Sequence, residues 1–168
     1  MSRRIEHRAE FGHPVDLVYA VLTDEGFLRE RLTAIGGRSV ELVSYAGDQD
    51  GMKAVTRQGI DAQHLPGAVR KVAPGGMTIE RTETWDGGGN GRYRGTVDAS
   101  VGGFPGSLRG NTALRTRTGG SELLLDGTVK VSIPLLGGKI EDVIIEQVGR
   151  LLRLEAEFAI RWLETHRG

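Results

Sequence analysis

The run MTIERTETW, residues 77–85, carries charge where a strand should be apolar. Its apolar ends put Met77, Ile79 and Trp85 on one face of a period-2 strand, and that face takes Arg81 and Glu83 with it. A second misplaced charge lies near the C-terminus. At 100° per residue, Glu155 falls inside an apolar helical arc that includes Leu151, Leu152, Phe158 and Trp162. A charge on a covered face must be paired or wet. Three readings follow. The charges form a structural pair, Arg81 with Glu155 first and Arg57 with Glu155 second. Alternatively, they are a polar handle for the head group of a bound molecule, or a shifted register or frayed end leaves them exposed.

Other chemistry finds less support in the residue spacings. DGGGNGRYRG has the glycines of a phosphate cradle, but that role needs a helix N-terminus after the loop. A period-2 run follows instead, so the stretch reads as a hairpin loop. His7, His13, His64 and His166 show no spacing suited to metal ligation, so no metal site is expected. His13 borders the first helix, and His64 lies in an irregular segment that could rim a pocket. There is no Gly-x-Ser-x-Gly elbow, since GFPGSLRG has the wrong frame and sits on a strand. The absence of cysteine removes disulfides, thiolate nucleophiles and thiolate metal ligands. Neither a catalytic residue nor a cofactor is expected from these motifs.

Chemistry of this kind needs elements to position it, and the chain supplies them in a simple order. Residues 5–11 read as a strand. HPVDLVYAVLTD follows as a short helix, with Pro14 at its first position and Val15, Val18 and Leu22 on one face. DEGFLRERLTAIGG gives a second, with Leu28, Leu32 and Ile35 aligned and Gly36-Gly37 ending it. Six strands are expected near 38–46, 51–60, 77–86, 91–101, 106–117 and 121–133. In one of them Tyr93, Val97, Ala99 and Val101 oppose Arg92, Arg94, Thr96 and Asp98. In another Leu123, Leu125, Val129, Val131 and Ile133 oppose Glu122, Asp126, Thr128 and Lys130. One wet and one covered face is the pattern of an antiparallel sheet with a single cover. Residues 61–76 fit no period and read as a loop, with room for a short strand.

In SIPLLGGKIEDVI, Pro134 ends strand pairing, Gly137-Gly138 permits a sharp turn, and a helix from about 139 to 165 begins. On it Asp142, Glu146, Arg150, Arg153, Glu157, Arg161 and Glu164 form one polar stripe, and most of the remaining circumference is apolar. So wide an apolar arc needs broad cover, which a curved sheet provides. The fold class is therefore α+β, a curved antiparallel sheet of about seven strands wrapped round a long C-terminal helix.

The overall composition agrees with one domain spanning 1–168. A chain of this length buries roughly 70% of its unfolded surface. Lysine plus arginine and aspartate plus glutamate balance at 22 each, so no field exists to hold a nucleic acid or an anionic membrane. Glycine, at 26 residues, is about twice its usual share of roughly 7% and clusters between the alternating segments, as hairpins require. No uncharged apolar run approaches the ~20 residues of a membrane span. The basic start MSRRIEHRAEFGHP has no apolar stretch behind it, so it does not read as a secretory signal and a cytoplasmic protein is expected.

The element order resembles the helix-grip fold of the SRPBCC superfamily, which includes the START and Bet v-type proteins. HPVDLVYAVLTDEGFLRERL resembles its first helical segment. GTVKVSIPLLGGKIED, HLPG, ETWDG and FPGSLRGNTAL resemble a mainly actinobacterial family within it for which no activity is assigned. The resemblance spans essentially the whole chain. It implies a cavity between sheet and long helix for a lipid, sterol, polyketide or other small apolar molecule; the balanced charge and the lack of a long apolar run predict no nucleic acid and no membrane insertion. The ligand-binding candidates are then Arg81, Glu83, Trp85, Tyr93, Val97, Leu125, Val129, Leu151, Glu155, Phe158 and Trp162; the aromatic ones could equally be ordinary core. Aromatics are only 5% of residues, so small inward side chains leave room rather than fill it. Cyclase or hydrolase chemistry in the same cavity, and a sheet that binds another protein, are the alternatives.

Overall fold

The computed structural model describes residues 2–36, 38–102 and 104–166. Strand β1 (Ser2–Phe11) buries Ile5, Ala9 and Phe11 on one face and leads into helices α1 (Val15–Leu22) and α2 (Glu25–Ile35). Pro14 sits just outside α1, where its missing N–H costs nothing. Asp24 caps α2, its Oδ2 accepting from the Phe27 N–H at 2.8 Å. Six strands follow: β2 (Arg38–Asp48), β3 (Gly51–Ile60), β4 (Met77–Gly89), β5 (Arg92–Gly102), β6 (Gly106–Arg117) and β7 (Gly120–Val131). All neighbours are antiparallel, in the order β1-β7-β6-β5-β4-β3-β2. The first two strands are thus the two edges, and α1 with α2 carries the chain from one to the other.

Local chemistry explains the turns. Asn90 and Gly91, with φ of 60° and 74°, close the β4–β5 hairpin, so DGGGNGRYRG is a hairpin rather than a phosphate cradle, with a two-residue turn between paired strand ends in place of the expected longer loop. Residues 61–76, expected as a loop, hold a 3-10 turn at Ala62–His64 and helix α3 (Gly67–Val72). Leu65, Val69 and Ala73 bury against Met77, Phe104, Val131 and Ile140, sealing one end of the fold.

Helix α4 (Gly137–Thr165) packs over β1 and β7. Its seven-residue polar stripe is exposed throughout, whereas Ile140, Ala159 and Leu163 are buried. The connection from β7 differs from expectation. Gly137 and Gly138 lie in the first helical turn, and the positive φ falls on Leu135 at 67°, a fully exposed side chain. Gly137 is required for a different reason: a Cβ there would lie 2.6 Å from the Val131 carbonyl oxygen. Four residues on, the fully buried Glu141 turns back, and its Oε2 accepts from the Val131 N–H at 2.8 Å. That bond ties the end of the last strand to the start of the helix.

Candidate functional site

Where α4 crosses the middle of the sheet, several of the inward side chains are small and leave space beneath it. Val97 and Ala99 on β5 and Thr112 on β6 face the helix. Gly110 has no side chain, and a Cβ there would meet Leu125 Cδ1 at 2.8 Å. The result is a cavity of about 150 Å³. Ile79, Val97, Leu108 and Leu125 form its floor, and Val148, Leu151, Leu152 and Ala156 of α4 form its roof. Most of the exposed lining is apolar.

One wall is not. Arg81 and Glu83 from β4, Glu155 from α4 and Arg31 from α2 meet there as a closed network. Arg81 grips Glu155 with two bonds, Nη1 to Oε2 at 2.7 Å and Nη2 to Oε1 at 3.0 Å. The same Nη2 donates to Glu83 Oε1 at 2.9 Å, while Arg31 Nη2 donates to Glu83 Oε2 at 2.8 Å. Arg31 Nε stands 3.9 Å from Glu155 Oε2. All four side chains are between 10% and 16% exposed. Two positive and two negative charges therefore share one buried wall.

The electrostatics follow from that arrangement. Burial alone would push the Glu83 carboxyl up, but the guanidinium groups of Arg31 and Arg81 outweigh it and hold Glu83 at about 2. The same balance lowers Glu155, and for Arg81 the two carboxylates overcome burial to raise its pKa. Both carboxylates stay ionised and Arg81 stays charged across the physiological range. His7 lines the same cavity, and burial, helped by the charge of Arg153, lowers its pKa and favours the neutral ring.

Seven of the expected residues border the cavity: Arg81, Glu83, Trp85, Val97, Leu125, Leu151 and Glu155. Four do not. Tyr93 stacks on Tyr19 at 3.8 Å and donates through Oη to Asp16. Val129 packs in the core with Ile5 and Leu108. Phe158 and Trp162 turn toward Phe27, with ring centroids 5.7 and 5.5 Å away, and hold α4 against α2. The pairing of Glu155 with Arg81 matches the first choice made from the sequence. Arg57, the second choice, instead bonds Glu80 at 2.9 Å in an exposed pair.

Arg31, His7 and Gln58 also line the cavity and had not been singled out as binding residues. Each carries a pattern signal. Leu28, Arg31, Leu32 and Ile35 fit one helical face at spacings of three, four and seven. His7 shares a strand face with Ile5, Ala9 and Phe11, and Gln58 shares one with Met52, Ala54 and Thr56.

Comparison with known proteins identifies the family. The model of the family described as "Protein of unknown function (DUF2505)" matches residues 6–163. The chain belongs to this family. An uncharacterised protein of Mycobacterium tuberculosis is 29% identical over 173 residues, covering 99% of both chains. Among solved structures, TTHA0849 from Thermus thermophilus superposes with a TM-score of 0.65 at 19% identity, covering 95% of this chain and 98% of that one. A norcoclaurine synthase of Thalictrum, in complex with a transition-state analogue, gives a TM-score of 0.60 at 13% identity, covering 100% of this chain and 98% of the synthase. At such identities the likeness is one of fold. It gives this DUF2505 member the Bet v-type helix-grip fold. Among the described residues, no helix is long and apolar enough to cross a membrane.

Proposed function

We propose that this protein binds one small apolar or amphipathic molecule in the cavity between the sheet and α4. The observation that carries the reading is the cavity of about 150 Å³ whose lining is chiefly aliphatic and whose charged wall carries two arginines bonded to two glutamates. An apolar cavity of roughly 150 Å³ holds a single ring such as benzene. The favoured guest is therefore compact. A sterol or a long acyl chain would bind only if α4 moved away from the sheet.

Cyclase or hydrolase chemistry is the less favoured reading. A proton-transferring carboxyl needs a pKa near the working pH. Glu83 and Glu155 are both held below the usual carboxylate range, which makes them weak bases and unavailable as acids. A protein-binding role for the outer sheet face has less support still. On β1, β7 and β6 that face is spanned by ion pairs, with Glu122 held between Arg8 at 2.7 Å and Arg115 at 2.6 Å.

Native mass spectrometry of gently purified protein tests the binding reading. A single co-purified small molecule, absent from Leu125→Phe protein of unchanged fold, is the expected result. If apo protein is recovered and no apolar one-ring compound adds to it in titration, the reading is wrong.

A further inference from the structure

The charged wall of the cavity also says what the polar end of the guest must be. This step rests on the binding reading above and narrows it. Each of the four carboxylate oxygens already accepts from a guanidinium: Glu83 Oε1 and Glu155 both oxygens from Arg81, and Glu83 Oε2 from Arg31. The two arginines and two glutamates sum to no net charge. A guest carboxylate would bring a third negative charge into this wall and find no unpaired cation, so it would lose its hydration without repayment. A guest ammonium would find no unpaired carboxylate.

Guanidinium N–H groups are what the wall has to spare. An arginine has five donors. Among the described residues Arg31 uses only Nη2 in a hydrogen bond, and its Nη1 makes none. Arg31 borders both the cavity and the narrow cleft beside it, between α2 and β3. Around the same space stand Gln58 and His7, both polar without a fixed charge in their neutral forms. We infer that the guest is uncharged and that its polar end is a carbonyl, ether or hydroxyl oxygen, received by the free donors of Arg31 beside Gln58 and His7. Acids of the same size are excluded by the pairing of Glu83 and Glu155 rather than by shape.

Four one-ring probes of similar size separate the possibilities: acetophenone, ethylbenzene, benzoate and phenethylammonium. Each is titrated at pH 7 into ¹⁵N-labelled protein and followed by NMR, with Leu125→Phe protein as the occluded control. Acetophenone should bind about tenfold or more tightly than ethylbenzene, the usual worth of a hydrogen bond to a charged group. Benzoate and phenethylammonium should show no saturable binding. Glu83→Gln, which leaves the wall with one excess positive charge, should gain benzoate binding. Should that variant fail to fold, Glu155→Gln makes the same change, and the wild-type panel stands without either. If ethylbenzene matches acetophenone, or benzoate matches it, the head-group inference is overturned while the cavity reading survives. If a folded, positively charged variant still ignores benzoate, charge balance is not what excludes it and the inference falls. If no probe binds, both readings fall together.

Discussion

Removing Arg81 should unbalance the buried wall, and removing Glu155 as well should restore it. Arg81→Met deletes both bonds to Glu155, at 2.7 and 3.0 Å, and one to Glu83 at 2.9 Å. The remaining wall holds Arg31 against two carboxylates. Glu155→Leu leaves the opposite excess, two arginines against Glu83. Orphaning one member of a buried pair costs about 3–5 kcal/mol, so each single change should consume a large part of a typical stability of about 5–15 kcal/mol. The double variant keeps Arg31 bonded to Glu83 and is electrically balanced. It should be no less stable than the weaker single variant, which gives a coupling of about 3 kcal/mol, at the upper end for contacting residues. Urea unfolding followed by circular dichroism measures all four proteins. The exposed pair Arg57–Glu80 serves as control and should show far smaller coupling. Additive losses at Arg81 and Glu155, with no recovery in the double variant, would refute the closed network.

Glu83 predicts an acid response. Its carboxyl is held at about 2 against an ordinary 4.5, so its contribution is full above pH 4.5 and disappears as pH falls toward 2. That difference amounts to roughly 3 kcal/mol, and a pH series of urea midpoints should be flatter over this window in Glu83→Gln than in the wild type. At the β7–α4 junction the two glycines should differ. Gly137→Ala forces a Cβ against the Val131 carbonyl and should lower the melting temperature by several degrees, while Gly138→Ala meets only the end of Arg3 and should change little, as differential scanning calorimetry will show. Glu141→Leu removes the acceptor for the buried Val131 N–H and should cost about 1–3 kcal/mol in urea unfolding.

The fold was legible because alternation and helical spacing are both strong here. Tyr93, Val97, Ala99 and Val101 do share the covered face of β5, and the polar stripe of α4 is exposed from Asp142 to Glu164. Alternation placed Arg81 and the helical wheel placed Glu155 on covered faces, and a charge out of phase with its face has few places to go. Arg31 escaped because α2 was read through its aliphatic residues, although Arg31 occupies a position on that same face. Helix α3 escaped because six residues complete fewer than two turns, too few for a period to emerge. The bend at Leu135 has no sequence signal at all: a leucine with positive φ is imposed by the surrounding connection. Phe158 and Trp162 show a limit of helical wheels. A wheel places them on the apolar arc, but only the position of α2 decides that they meet Phe27 rather than the cavity.

A titration of acetophenone followed through the methyl resonances of Val97, Leu108, Leu125, Val148 and Leu152 examines the cavity itself. These five side chains come from four elements, and all of them line the void. One-site saturable shifts should appear in all of them and vanish in Leu125→Phe protein that melts cooperatively. Shifts confined to surface methyls, or binding left unchanged by Leu125→Phe, would contradict an internal binding site.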